Sequence, residues 1–231
     1  MYKYFAYIIF CFIIGCMPSQ PDKKKNEFSE DTIVSKTSGQ IPIEDFDILM
    51  QESEDPGRVT WQNPEMVISK MGNIDNLVVA DIGTGTGYFA IRIVKKGGSV
   101  IGIDIDQKSI DYIEERKSEL SPEIANRLTT RLSYPDDPRL TVNEADWVII
   151  INTYYIIDNR INYLKKVKNG LRRNGKIMIV DYKVGDMPVG PDDVIKVPIT
   201  KAITEVKSAG LRILEIDNSS LQYQYIIVAQ R

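Results

Sequence analysis

Leu77-Val78-Val79-Ala80-Asp81-Ile82-Gly83-Thr84-Gly85-Thr86-Gly87 is the stretch that decides the fold. Leu77 to Ile82 is a short, mostly apolar run and reads as a buried strand. Three glycines follow at every second position; they let the backbone turn sharply and let a ligand come close to it. Phe89, Ala90, Ile93 and Val94 then recur at helical spacing, which predicts a helix within residues 85–96. Strand, glycine turn and helix together are the opening unit of a wound α/β sheet.

The same alternation continues on both sides. Pro64 to Met71 predicts a short helix with proline in its first turn and Asn63 as its cap. Ser99 to Asp104 is a second strand. Gln107 to Leu120 is a charged amphipathic helix with Ile110 and Ile113 inward, and Arg127 to Ser133 a weak third strand. Trp147-Val148-Ile149-Ile150-Ile151, within Asp146 to Ile151, is the strongest strand, and its unbroken run suits a central position buried on both faces. Asp158 to Gly170 reads as a helix stopped by Asn169-Gly170, Lys176 to Tyr182 as a buried strand, and Ile199 to Ala209 as a helix followed by Gly210. Leu211 to Asp217 and Gln222 to Ala229, joined by Asn218-Ser219-Ser220, suit an antiparallel hairpin. The expected fold is therefore α/β, a doubly wound Rossmann-like sheet of seven strands, mostly parallel, closed by a C-terminal antiparallel hairpin.

In such a sheet ligands sit beyond the carboxyl ends of the strands, where strand order reverses. A dinucleotide loop wants Gly-x-Gly-x-x-Gly. Here the third glycine, Gly87, comes one position early and Tyr88 stands where that pattern needs it. Asp81 also ends the strand, and a carboxylate there opposes a pyrophosphate, which seeks N–H groups and a helix dipole. S-adenosylmethionine carries an ammonium and a sulfonium, and a nearby carboxylate suits both. Asp104 ends the second strand, placed to accept from two ribose hydroxyls, and Ile105 after it is placed to pack on an adenine. The competing readings of the loop are a ligand-free tight turn and a nucleotide of another kind.

Composition narrows the chemistry. The chain has 231 residues, enough for one sizeable domain, with 43% hydrophobic and 26% charged residues. There is no internal repeat and no second domain in the pattern. A formal charge of −3 argues against a broad nucleic-acid surface. There is no histidine, which removes the usual general base and zinc ligand and excludes Ser/His/Asp and Cys/His hydrolases in their ordinary form. The two cysteines, Cys11 and Cys16, both lie in the first sixteen residues, so the main body carries no disulfide or thiolate site, and no metal is expected.

The N-terminus reads as an address. Lys3 is followed by an apolar run from Tyr4 to Ile14, too short to span a bilayer and the size of a signal-peptide core. It ends in Ile13-Ile14-Gly15-Cys16, which resembles a bacterial lipobox. That resemblance implies a signal peptide over 1–15 and lipidation of Cys16; the polar, aperiodic stretch that follows reads as a flexible tether over 16–40, ahead of a folded domain over 41–231. The protein would then be held by its lipid at a membrane of the bacterial envelope, facing the periplasm or in the outer membrane. A plain secretory signal and an uncleaved anchor are the alternatives.

From about Asp55 to the C-terminus the chain resembles class I S-adenosylmethionine-dependent methyltransferases, and within them a branch related to the ubiquinone/menaquinone-biosynthesis enzymes. The segments that carry this are Asp55-Pro56-Gly57-Arg58-Val59-Thr60-Trp61-Gln62-Asn63-Pro64, Val79 through Phe89, Tyr134-Pro135-Asp136-Asp137-Pro138-Arg139-Leu140 and Gln222-Tyr223-Gln224-Tyr225. The resemblance implies that Gly83, Thr84, Gly85 and Gly87 line the methionine part of the donor and that Asp104 holds the ribose. It puts Asp136 and Asp137 by the adenine edge and Trp61-Gln62 at the mouth of the donor pocket; capping and packing is the other reading of that pair. At the end of the fourth strand such proteins often carry Asp-Thr-Tyr-His-His, whereas this chain has Asn152-Thr153-Tyr154-Tyr155-Ile156. Asn152 keeps a place beside the donor, but both histidines are gone. Tyr155 and Asp158 are then the weak candidates for acid–base work, with Asp181 behind them; their plain readings are pocket wall, cap and surface acid. The expected partner is a small or lipid-like methyl acceptor, with no nucleic acid; oligomeric state is not legible. A second hypothesis is a lipid-anchored binding protein that reuses the scaffold with little or no catalysis.

Overall fold

The computed structural model describes residues 50–51 and 55–231; the expected signal peptide, the expected lipidation site Cys16 and the expected tether lie outside the described residues. Seven strands form one sheet: β1 (Val78–Ile82), β2 (Ser99–Asp104), β3 (Leu128–Leu132), β4 (Ala145–Ile151), β5 (Leu171–Tyr182), β6 (Arg212–Asp217) and β7 (Gln224–Gln230). Their order is β3-β2-β1-β4-β5-β7-β6. β1 to β5 run parallel, and β7 enters antiparallel between β5 and the edge strand β6. This is the Rossmann-like arrangement the sequence pattern predicts.

Alternation along the central strands sorts two cores. Ala80, Ile82, Val148, Ile150, Ile177 and Ile179 face one side, and Val79, Trp147, Ile149, Ile151, Met178 and Val180 the other. The first side is covered by α6 (Arg160–Gly170) and α7 (Ile199–Ser208) through Leu164, Val167, Ala202 and Val206. The second is covered by α2 (Pro64–Ser69), α3 (Tyr88–Lys95) and α4 (Gln107–Lys117) through Val67, Ile68, Phe89, Ile93 and Ile113. From Trp147 to Ile151 no residue is more than 6% exposed, as expected of a strand covered on both faces. Each such aliphatic side chain contributes on the order of 1.5–3 kcal/mol by burial.

Several boundaries move. α6 starts at Arg160 rather than Asp158, because Tyr154–Ile156 forms a separate 3₁₀ turn first. β5 begins at Leu171, immediately after α6, and reaches its regular register only after an irregularity opposite Ala145 and Trp147. β7 begins at Gln224 rather than Gln222. Two helices escaped the periodicity reading because they are short: α1 (Pro56–Gln62) and α5 (Pro122–Ala125). Asp55 caps α1 by accepting from Gly57 N at 2.8 Å. Asn63, left-handed at φ 44°, ends α1 and caps α2, its Oδ1 accepting from Met66 N at 3.3 Å. Among the described residues no helix is long and apolar enough to cross a membrane.

Candidate functional site

Strand order reverses between β1 and β4, and a cavity of about 420 Å³ opens over the carboxyl ends of the strands there. That volume lies in the range of small-molecule sites, ~300–1,000 Å³. One half of its wall comes from the ends of β1 and β2, the other from the end of β4 and the segments laid against it.

The first half is built from backbone. Gly83 N and Thr84 N both donate to Ile103 O, at 2.8 and 3.1 Å, and Gly87 N donates to Thr84 O at 2.9 Å. Gly85 N donates to Asp104 Oδ2 at 2.9 Å, while Asp106 N donates to Asp104 Oδ1 at 3.0 Å. The N–H groups of Gly83, Thr84, Gly85 and Gly87 are therefore engaged within the protein, and a pyrophosphate would find none of these four to cradle it. The glycines serve different ends. A Cβ on Gly83, at φ 72°, would lie 2.2 Å from Thr153 Oγ1, so this glycine lets the ends of β1 and β4 meet. Gly85, at φ 54°, faces open space. Gly87 begins α3 and approaches Ile113 on α4; it is not part of the cavity wall.

Asp81, Thr84, Asp104 and Ile105 line this half. Asp81 is 3% exposed, and burial pushes its carboxyl pKa up to about 7. The hydrogen bond from Thr84 Oγ1 at 3.0 Å opposes that shift and the charge of Asp104 adds to it. Burial also raises Asp104, against the hydrogen bonds from Asp106 and Gly85. Two desolvated carboxylates make a site for a ligand that brings positive charge and hydroxyl donors. S-adenosylmethionine meets both demands: its ammonium suits Asp81, and its ribose hydroxyls suit the second lone pairs on the oxygens of Asp104.

The second half is built from side chains of distant segments. Arg58 reaches in from α1, its guanidinium 4.0 Å from the centre of the Tyr88 ring, which Arg92 approaches to 3.7 Å. Asn152, Thr153, Ile156, Ile157 and Asp158 come from beyond β4, with Tyr163 from α6. Tyr182 forms a wall with Gly190-Pro191 from the long β5–α7 loop. Gly190, at φ 87°, is pressed so close to that ring that a Cβ would lie 2.4 Å from Tyr182 Cδ1. Ser133, Tyr134 and Pro135 close the side nearest β3.

The remaining sequence candidates take other places. Gln62 is fully buried and bonded to Asn152 and Gln224, off the cavity wall. Asp137 is also off the wall: its Oδ1 accepts from Arg139 N at 2.7 Å and its backbone pairs with Tyr134. Tyr155 is 4% exposed and meets Tyr182 edge-on with ring centres 6.1 Å apart, behind the wall. Asp158 is exposed at the rim. Asp181 is buried away from the cavity, its pKa pushed up to about 7 by burial against N–H groups of Tyr182 and Tyr155. Sequence reasoning missed Arg58, Tyr182 and Gly190. For Arg58 a signal existed: Asp55-Pro56 starts a helix, which puts Arg58 and Gln62 one turn apart on a single face. The β5–α7 loop carries no periodic signal.

Residues 73–226 match the model of a family described as a methyltransferase domain. No curated protein matches the chain. Among solved structures it is similar to an S-adenosylmethionine-dependent methyltransferase from Aquifex aeolicus: 21% identity, TM-score 0.73, covering 80% of this chain and 98% of that one. An S-adenosylmethionine-dependent methyltransferase from Mesorhizobium loti is similar at 12% identity and TM-score 0.61, covering 78% and 100%. The 4+2 cyclase SpnF is similar at 13% identity and TM-score 0.67, covering 80% and 92%. Likenesses at these identities speak for the fold.

Proposed function

The chain belongs to the methyltransferase-domain family, with S-adenosylmethionine as its methyl donor, and on that premise we propose that it methylates a small or lipid-like acceptor at a bacterial envelope membrane, held there by a lipid on Cys16. The observation that carries the donor half is a pair of carboxylates at neighbouring strand ends, Asp81 buried and Asp104 half-buried, beside a glycine loop whose N–H groups are already engaged. The anchor rests on the sequence of the first sixteen residues.

When bound, the donor supplies an activated methyl on a sulfonium. The protein's work is to align and to exclude water, and alignment alone lowers a barrier by ~7–11 kcal/mol. Asp104 and the Gly85 N–H that it holds fix one end of the site. Asp81 offers charge to a cation from a buried position. Tyr182, Gly190, Pro191, Ile156 and Ile157 form an apolar and aromatic wall opposite, which suits an acceptor with an apolar body. Asp158 at the rim is placed to pass a proton to solvent.

A second reading is a lipid-anchored binding protein with weak or no catalysis. What favours it is the end of β4: Tyr155, the residue in place of a histidine, stands behind the wall rather than in it. Calorimetry on the full chain in detergent tests the first reading, with heat expected from both S-adenosylmethionine and S-adenosylhomocysteine. Asp104→Ala should weaken that binding by ~1.5–3 kcal/mol, as for loss of charged hydrogen bonds. No heat with either compound would sink the enzyme reading. Mass spectrometry of the membrane fraction, comparing the parent with Cys16→Ser, tests the anchor; an unmodified parent would remove it.

A further inference from the structure

The end of β4 carries a polar chain whose direction is set by one cation. Arg58 Nε donates to Gln62 Oε1 at 2.7 Å. A guanidinium has donors only, so that oxygen must be the acceptor and Gln62 Nε2 must be a donor. Nε2 donates to Asn152 Oδ1 at 3.0 Å and to Gln224 Oε1 at 3.2 Å. Gln224, with its oxygen engaged, turns its own Nε2 onto the same Asn152 Oδ1. Asn152 Oδ1 thus accepts from both sides. Gln62 and Gln224 are both fully buried, so neither amide has water as an alternative partner.

This leaves Asn152 one way to face. Its backbone is fixed in the left-handed region at φ 57°, with its N–H donating to Val180 O at 3.0 Å. The side chain lines the cavity. Its Nδ2 has no acceptor within the protein among the described residues, and it is not sealed from solvent space. The end of β4 therefore shows the cavity an N–H donor, where the segment it resembles carries an acid.

We propose that Asn152 Nδ2 recognises the methyl acceptor, and that the acceptor presents an oxygen lone pair there, a phenolate or enolate oxygen rather than an amine. The assignment rests on the methyl-transfer reading. The donor's ammonium and ribose hydroxyls need acceptors, which Asp81 and Asp104 provide, and its carboxylate has the guanidinium of Arg58 in the same cavity wall, so the Asn152 N–H is assigned to the other molecule. It also compensates for the missing histidine. A hydrogen bond to the anionic oxygen favours the ionised acceptor, so its proton can leave to water without a strong base. The anion's electron pair then forms the new bond to the methyl, and the old bonding pair stays on sulfur as a neutral thioether.

The test uses the full chain in detergent, saturated with S-adenosylhomocysteine, and two shape-matched probes, 4-nitrophenolate and 4-nitroaniline. Spectrophotometric titration should show the phenolate bound about tenfold or more tighter, with its ionised absorption band persisting to lower pH than in buffer. Asn152→Asp keeps an oxygen for Gln62 and Gln224 but faces the cavity with an acceptor. It should abolish the preference and leave S-adenosylhomocysteine affinity within about twofold. Gln62→Glu, which never touches the cavity, should draw Nδ2 into the network and turn Oδ1 outward, with the same loss. Equal binding of the two probes, binding of neither, or a preference that survives both variants overturns the proposal. So does a parallel loss of S-adenosylhomocysteine affinity in Asn152→Asp, which would give Asn152 to the donor's carboxylate. Failure of the parent to bind S-adenosylhomocysteine at all would instead overturn the methyl-transfer reading beneath it.

Discussion

The ends of β1 and β2 and the end of β4 face the same cavity but are held by different means. At β1 and β2 the structure is local and made of main chain. Everything from Asp81 to Asp106 lies within one βαβ unit, and its turns are held by backbone bonded to backbone or to carboxylate, with Thr84 Oγ1 on Asp81 three residues away. At β4 the support comes from afar. Asn152 leans on Gln62 and Gln224, and Tyr154 Oη donates to Glu205 Oε2 at 2.7 Å. Arg160 holds that same carboxylate, at 2.9 and 3.2 Å. The first region is set by steric demand on the chain, the second by satisfying polar groups brought from five segments. That difference predicts which substitutions will be felt as strain and which as orphaned charge.

The largest effect belongs where the two regions touch. Gly83→Ala places a Cβ in the left-handed region, ~1–2 kcal/mol for an L-residue, and drives it into Thr153 with overpacking of ~1–3 kcal/mol. A loss of about 3–5 kcal/mol in urea unfolding is expected. A loss under about 1 kcal/mol would mean that Thr153 yields easily, and that the β1–β4 junction is looser than its packing suggests.

Glu205→Ala is the matching break on the other side. It strips the partner from Arg160 and from the Tyr154 hydroxyl, both largely buried. Removing one member of a buried pair costs ~3–5 kcal/mol, and the small exposure here argues for about 3. Glu205→Gln, which keeps both oxygen and shape, should recover part of it. If Glu205→Ala unfolds like a surface mutation, the polar support of β4 is decorative and the comparison fails.

The contrast also accounts for what could be read in advance. The donor half was legible because each of its elements leaves a local mark: glycines at forced turns, acids at strand ends, a helix period starting after Gly87. The mostly parallel sheet and the closing hairpin followed from the same kind of mark. The β4 half was not legible, because Gln62, Gln224, Glu205 and Gly190 acquire meaning only when the fold brings them to Asn152, Tyr154 and Tyr182. Tyr155 was placed by its neighbours in sequence, yet the 3₁₀ turn at Tyr154–Ile156 rotates it behind the wall. Gly83 shows the limit even within the local half: its loop was read as ligand-facing, while the contact that demands glycine is Thr153, seventy residues on.

A smaller effect concerns protons. Asp81, with pKa about 7 in the folded protein, keeps a proton that the unfolded chain releases near ~3.9. Its contribution to stability is therefore greatest at low pH, declines as pH rises from about 4 to about 7, and is flat beyond. Binding runs the other way. A donor ammonium beside Asp81 favours the carboxylate, so binding below pH 7 should release a proton. Affinity should then fall by up to ~tenfold per pH unit of acidification. Calorimetry in buffers of different ionisation enthalpy reads the proton directly, and Asp81→Asn should flatten the profile. A flat profile in the parent would separate Asp81 from the ammonium.

The smallest expected effect tests the border between the two regions. Asp137 sits in the resemblance-bearing segment after β3, but Ser133, Tyr134 and Pro135 supply the wall there. Its Oδ1 holds the N–H of Arg139, itself left-handed at φ 56°, and its Oδ2 lies 3.5 Å from Lys166, which is shared with Asp136. The backbone pairing of Asp137 with Tyr134, at 3.0 Å in both directions, needs no side chain. Asp137→Ala should therefore cost about 0.5–1 kcal/mol of stability through the lost turn hydrogen bond, the exposed ion pair adding little. S-adenosylhomocysteine affinity should stay within about twofold of the parent, since Tyr134 and Pro135 remain held by main chain. A tenfold loss with unchanged unfolding would return Asp137 to the adenine edge, and would show that a side chain off the apo wall turns inward when the ligand arrives.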